Sequence, residues 1–365
     1  MTDSMTPRER WLAAIRCEPV DRLPFWPKLD AAYPPYQRGR FAGKTNDDLH
    51  AFIGSDRNVW GGNVVRTERT TTAVETTRSN GSRRTVYRAP AGDLTDTYDW
   101  DEPSQSWHPV EFPVKSAADL PIMRLIFEDA TPAFDPDQYE KAKALVDRVG
   151  DDGVVATSIG ISPLMEFVEH VAGVENAHYL LVDAREEVEA LFAAMHRATC
   201  RRAAIQAERS PAPVVYSVEN TSTTLISPDQ FRRYCKRHLA DYGRIITGAG
   251  KVHMLHQCGC LKAVLPDVND LPARGIEAFT APPVGDTRLI DGRSDCPDKV
   301  LVGGTSATLW MYPADRIIAE IARDLDALPH TRGIVVTSAG VMPPIAAPET
   351  IKAVCERVKA YPVRN

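Results

Sequence analysis

Apolar and polar positions along this 365-residue chain follow two alternating patterns. Segments with apolar residues three and four apart, the helical spacing, are separated by short runs that are apolar at nearly every position, the mark of strands buried on both faces. Thr6-Pro7 with Glu9 forms a capping box, and Trp11, Leu12 and Ile15 form the stripe of an N-terminal helix. A first strand follows over 23–30. Further on the alternation is regular: helix over 139–149, strand over 153–160, helix over 163–171, two helices over 176–181 and 185–208, strand over 212–218. A capped helix starts at Ser227, and a strand runs through His256. Strands over 275–281, 300–304 and 333–338 follow, with helices over 313–328 and 348–360. These are seven strands, and the region 58–60 supplies an eighth. Strict alternation over this length predicts a single α/β domain spanning 1–365, a (β/α)8 TIM barrel, with a doubly wound sheet as the alternative.

One stretch departs from the alternation. Residues 64–78 are rich in Thr and Val, Ser79-Asn80-Gly81-Ser82 has the composition of a hairpin turn, and 84–88 reads as the returning strand. The β pattern continues through 94–100. An antiparallel β meander inserted at about 60–115 is expected, with a short helix capped at Ser116.

Composition narrows the functional classes. The chain is 43% hydrophobic and 25% charged, with net charge −6 and pI near 5.9. That balance argues against nucleic acid or an anionic membrane as the main partner, and a small-molecule substrate is expected. No apolar run reaches the roughly 20 residues a membrane span needs. The first ten residues lack a signal-peptide layout. Seven scattered cysteines suit a reducing cytoplasm better than a disulfide framework.

Candidate chemistry gathers where a barrel would place it, at the carboxyl ends of strands. The stretch from Lys251 to Leu261 holds His253, His256, Cys258 and Cys260. On an extended backbone His256 and Cys258 share a face, a two-ligand clip for a borderline-soft metal such as zinc. Cys260 lies on the same face if the chain stays extended, and is read as the third ligand; His253, Glu219 and Cys296 are the alternatives. Asp30, Glu219 and Asn220 are the catalytic candidates. Ser158, Tyr216, Thr280 and Ser338 are read as substrate-binding.

The opening Met5-Thr-Pro-Arg-Glu-Arg-Trp through Leu23-Pro24, the Ile226-Ser-Pro-Asp-Gln-Phe231 helix start, His256-Gln-Cys258-Gly259 and the Gly340 to Glu349 segment together resemble the uroporphyrinogen decarboxylase superfamily. The resemblance implies a (β/α)8 barrel with its site at the strand ends. Decarboxylases of the superfamily carry arginines after the first strand, whereas this chain has no arginine there until Arg38. His256-Gln-Cys258-Gly259 is similar to the zinc motif of the methyltransferase branch, which includes methylcobalamin:coenzyme M methyltransferases. The branch's last zinc ligand is a Cys, and Ala339 stands in its place. The implied activity is methyl transfer between a corrinoid (methylcobalamin) and a zinc-activated thiol. No Asp-x-His-x-x-Gly motif occurs, so the corrinoid is expected on a separate protein. The rivals are a metal-free decarboxylase or lyase working by acid/base chemistry, and a non-catalytic binding barrel. The superfamily includes dimers and monomers, so a homodimer stays open.

Overall fold

A computed structural model describes residues 3–29, 32–102 and 104–364. Its strands are β1 (Phe25–Trp26), β2 (Arg57–Trp60), β3 (Val65–Glu68), β4 (Ala73–Ser79), β5 (Ser82–Ala89), β6 (Gly92–Asp101) and β7 (Ser106–Glu111). They continue as β8 (Thr131–Phe134), β9 (Gly153–Gly160), β10 (Val214–Val218), β11 (Val252–His256), β12 (Gly275–Phe279), β13 (Val300–Gly303) and β14 (Ile334–Thr337). Eight of them form one parallel sheet in the order β1-β14-β13-β12-β11-β10-β9-β2. The expected eighth strand is β2, paired in register with β9 from Arg57↔Gly153 to Trp60↔Ala156.

Where the sheet meets itself, between β1 and β2, Asp56 joins the edges. Its N–H donates to the carbonyl of Phe25 at 2.8 Å, and its carboxylate accepts the N–H of Phe25 at 3.1 Å. The same buried carboxylate takes Arg10 at 2.6 Å and Arg22 at 2.7 Å. Two guanidinium groups around one fully desolvated carboxylate satisfy charge and hydrogen bonding together, the condition for a buried ion pair to hold.

Inside the ring Trp26, Val154, Ala156, Val214, Tyr216, Met254, Val300, Val302 and Val335 pack with Trp11, Ala14 and Ile15 of the helix Pro7–Ile15. That helix has the predicted capping box and lies across the start of the strands. The alternate residues Val215, Leu255, Ile276, Leu301 and Val336 belong to the larger core under the outer helices. The period-2 rule therefore sets which side chains fill the barrel. The apolar layers end one step above Tyr216 and Met254, where the inward positions become Ser158, His256, Glu277 and Thr337.

The insertion differs from expectation in one respect. The run 64–78 is two strands in two sheets: β3 pairs antiparallel with β8, and β4 opens the β4-β5-β6-β7 meander. The break falls at Thr70, Thr71 and Thr72, whose N–H groups all donate to Asp129, leaving none for a ladder. The hairpin lies at Ser79↔Ser82, with Asn80 and Gly81 at φ of 48° and 76°, as a two-residue turn of this hand requires.

Candidate active site at the barrel mouth

β11 ends at His256, two residues after the inward-facing Met254, so the imidazole enters the barrel above the apolar layers. Its Nδ1 donates to Oε2 of Glu277, the inward residue of neighbouring β12, in register with it. Glu277 is fully buried, and its other oxygen lies 3.0 Å from Nζ of Lys28, just past β1. Three strands thus contribute one cation, one anion and one imidazole to a single line. Burial disfavours charge on His256, but the adjacent Glu277 carboxylate and hydrogen bonds with Cys258 and Glu277 raise it to about 9. Burial likewise pushes Glu277 up, while Lys28 and then His256 hold it at about 2.

Beyond His256 the strand stops. Cys258 is partly exposed, within hydrogen-bond reach of His256, and its Sγ donates to Oδ1 of Asn220 at 3.7 Å. Gly259 then takes φ of 106°, so the chain does not stay extended, and Cys260 does not continue the face of His256 and Cys258. Its N–H donates to Ser222 Oγ and its carbonyl accepts from the N–H of Thr223. Asn220 sits at φ of 47°, a left-handed conformation that short amide side chains tolerate best. From there its Nδ2 donates to Oε2 of Glu169 at 3.0 Å.

Glu169 belongs to a one-turn π-helix, Phe167–Val171, in which Phe167, Val168 and Val171 are buried while Glu169 and His170 are not. A π turn holds one extra residue and often marks a functional position. Burial raises Glu169 to about 7 against the Asn220 hydrogen bond, with Glu166 adding to the rise and His256 opposing it. His170 continues the line: its Nε2 is 3.7 Å from Glu169, and its Nδ1 meets the hydroxyl of Tyr98 on β6 at 3.1 Å. The meander therefore reaches the mouth.

The other predicted residues lie deeper. Glu219 is fully buried, and both its oxygens accept from Ser162, from the N–H at 2.9 Å and from Oγ at 2.5 Å. The same Ser162 hydroxyl meets Cys235, in a second π turn, Phe231–Lys236. Burial raises Glu219 to about 7 in spite of these bonds. Tyr216 is inside the apolar layers, bonded to Asn58 at 3.2 Å. Thr280 donates to the carbonyl of Ala278, and Ser338 bridges the N–H of Lys28 and the carbonyl of Gly340. Of the four substrate-binding candidates, Ser158 alone is not buried. His253 faces outward against Ser217, and Cys296 donates to the carbonyl of Leu265. Asp30 lies outside the described residues.

Among the described residues no three His, Cys, Asp or Glu side chains are arranged to hold a metal ion. His256 and Cys258 remain a pair of donors suited to zinc in type, with the imidazole oriented through its second nitrogen by a carboxylate, as metal-bound histidines commonly are. The pair supplies two of the three protein ligands an open zinc site usually has, and among the described residues no third donor stands with them.

Glu277, Lys28 and Glu169 are not among the residues the sequence points to. A signal existed for Glu277, a lone acid in the otherwise apolar run Gly275-Ile-Glu-Ala-Phe279 at an inward position. None existed for Glu169, because a π turn leaves no period in the sequence.

Comparison with known proteins agrees with this architecture. A methyltransferase from Methanosarcina mazei superposes with a TM-score of 0.59 at 17% identity, covering 97% of this chain and 98% of its own. A B12-independent methionine synthase from Shewanella sp. W3-18-1, solved with selenomethionine, gives 0.50 at 11% identity, with 92% and 97% covered. Such identities establish the shared fold alone. No curated protein matches the sequence. Residues 121–361 match the family model of uroporphyrinogen decarboxylase (URO-D), and the chain belongs to that family.

Proposed function

We propose that this enzyme moves a methyl group between a corrinoid and a thiol acceptor at His256 and Cys258. The observation that carries the reading is the pairing at the mouth: a thiol beside an imidazole whose Nδ1 is held by a fully buried carboxylate. The likeness to a methyltransferase fold agrees with it. In the forward direction the acceptor thiol loses its proton, its sulfur supplies the electron pair of a new carbon–sulfur bond, and the carbon–cobalt bond breaks with its pair left on the departing corrinoid. Bound zinc would supply a Lewis acid that keeps a thiol ionised at neutral pH. The chain's own residues do the rest. Glu277 fixes the ring and tautomer of His256, and Lys28 balances the charge of Glu277 in the dry interior. Asn220 fixes the Cys258 side chain. Lacking a corrinoid-binding motif, the chain receives its corrinoid from a partner protein. The seven cysteines are free, which suits action in a reducing cytoplasm. No helix among the described residues is long and apolar enough to cross a membrane.

A second reading, decarboxylation or lyase chemistry without metal, is favoured by one observation: a carboxyl near neutrality, Glu169, close to a cationic His256. Metal content of wild type and Cys258→Ser, purified without chelator, decides between them. About one zinc per chain, lost in the variant, with a thiol-dependent change in the methylcobalamin spectrum, supports transfer. No metal in either protein moves the assignment to acid/base chemistry.

A further inference from the structure

We propose that Glu169 is the general base of this site, accepting the proton of the incoming thiol, with His170 as the proton's way out to solvent. The proposal rests on the thiol-transfer reading above and adds a residue to it. In the step, the acceptor's S–H bond breaks, the electron pair stays on sulfur, and an O–H bond forms on Glu169. The proton then leaves to water through His170.

Four features of the structure point to this carboxyl. First, its position: Asn220 bonds Glu169 through Nδ2 and Cys258 through Oδ1, so one amide separates the carboxylate from the cysteine. An acceptor drawn to Cys258 arrives next to that amide. Second, its two oxygens are unlike. Oε2 is held by Asn220, while Oε1 is buried with no hydrogen-bond partner among the described residues. A buried carboxylate oxygen without a donor is costly and asks for one, and the S–H of an acceptor is a donor of the right kind. Third, there is an outlet. The His170 ring lies 3.7 Å from Oε2 and its side chain is 41% exposed, whereas Glu169 is 17% exposed. Tyr98 of the meander holds the far nitrogen of that ring. Fourth, the rival carboxyl is engaged. Glu219 has both oxygens committed to Ser162 and is sealed from solvent.

The surroundings suit the role. The groups facing Glu169 are Glu166 on its own helix, His170 and Tyr98 beside it, Glu219 and Asn220 after β10, and His256 of β11. Burial and Glu166 push its affinity for a proton up, Asn220 and His256 pull it down, and the balance falls at about 7. A base near the working pH both takes and releases protons readily.

The test uses full-length, zinc-loaded protein, methylcobalamin and 2-mercaptoethanol, with demethylation followed by absorbance from pH 5.5 to 9. The wild-type rate should fall as pH drops below about 7. Glu169→Gln, which keeps the shape of the side chain, should lower kcat about 100-fold and abolish that limb, with zinc content and KM for the thiol unchanged. Glu169→Ala should regain rate on adding formate, an effect that a structural role would not give. A Glu169→Gln enzyme with wild-type kcat and the same limb overturns the proposal while leaving the transfer reading in place. A zinc-loaded wild type that never demethylates methylcobalamin overturns the transfer reading and this proposal together.

Discussion

Replacing Glu277 by Gln removes the anion between two cations while keeping its volume. The expected effect can be worked from the structure. His256 is held at about 9 by a carboxylate it touches, against a usual value near 6.5, which corresponds to about 3 kcal/mol of preference for the cation. The folded value is raised, so this stabilisation is fully present below pH 6.5 and is lost as pH climbs through about 9. The Glu277 side has the opposite sense. Its folded value is lowered to about 2, so its contribution is present above pH 4.5 and is lost as pH falls toward 2. Between roughly pH 4.5 and 6.5 both act together. Urea unfolding at pH 6 and pH 9.5 should therefore show wild type losing about 3 kcal/mol across that interval from this pair. The variant should be weaker by about 3–5 kcal/mol at pH 6, since one member of a buried pair has been removed, and should lack that part of the decline. An equal decline in both proteins would refute the assignment of a cationic His256 and with it the charge line from Lys28.

Two more substitutions separate fold from site. Asp56→Ala leaves Arg10 and Arg22 buried without their shared anion and should cost about 3–5 kcal/mol in urea unfolding at pH 7; a loss under about 1 kcal/mol would mean the backbone bonds alone hold the seam. Asn220→Gly keeps a backbone that tolerates φ of 47°, so stability should stay within about 1 kcal/mol while methyl transfer falls at least tenfold; unchanged transfer would remove Asn220 from the site.

The barrel was legible because its strands are continuous apolar runs bounded by glycine and proline, a signal that survives without partners. The meander was legible from Asn80-Gly81. What escaped were features whose cause lies elsewhere in the chain. β8, four residues of Thr-Pro-Ala-Phe, is a strand only because β3 lies beside it. Cys260 shares a face with Cys258 only if the strand continues past His256, and Gly259, at φ of 106°, ends that run. Glu219 and Asn220 are neighbours in sequence, yet one braces Ser162 and the other meets Cys258. Their shared carbonyl partner, that of His256, fixes the backbone there, and no local pattern announces which way each side chain goes.

The π turn at Phe231–Lys236 has a consequence for how such a protein changes over generations. It holds one residue more than the helical turn it replaces, and one residue corresponds to about 100° of rotation. Substitution anywhere in it alters a side chain, but loss of a single codon would restore α geometry and replace the residue behind Ser162, now Cys235. The downstream face carrying Leu239, Tyr242 and Ile246 would stay docked. A lineage can thus remodel the support behind the mouth by insertion or deletion without recutting its core.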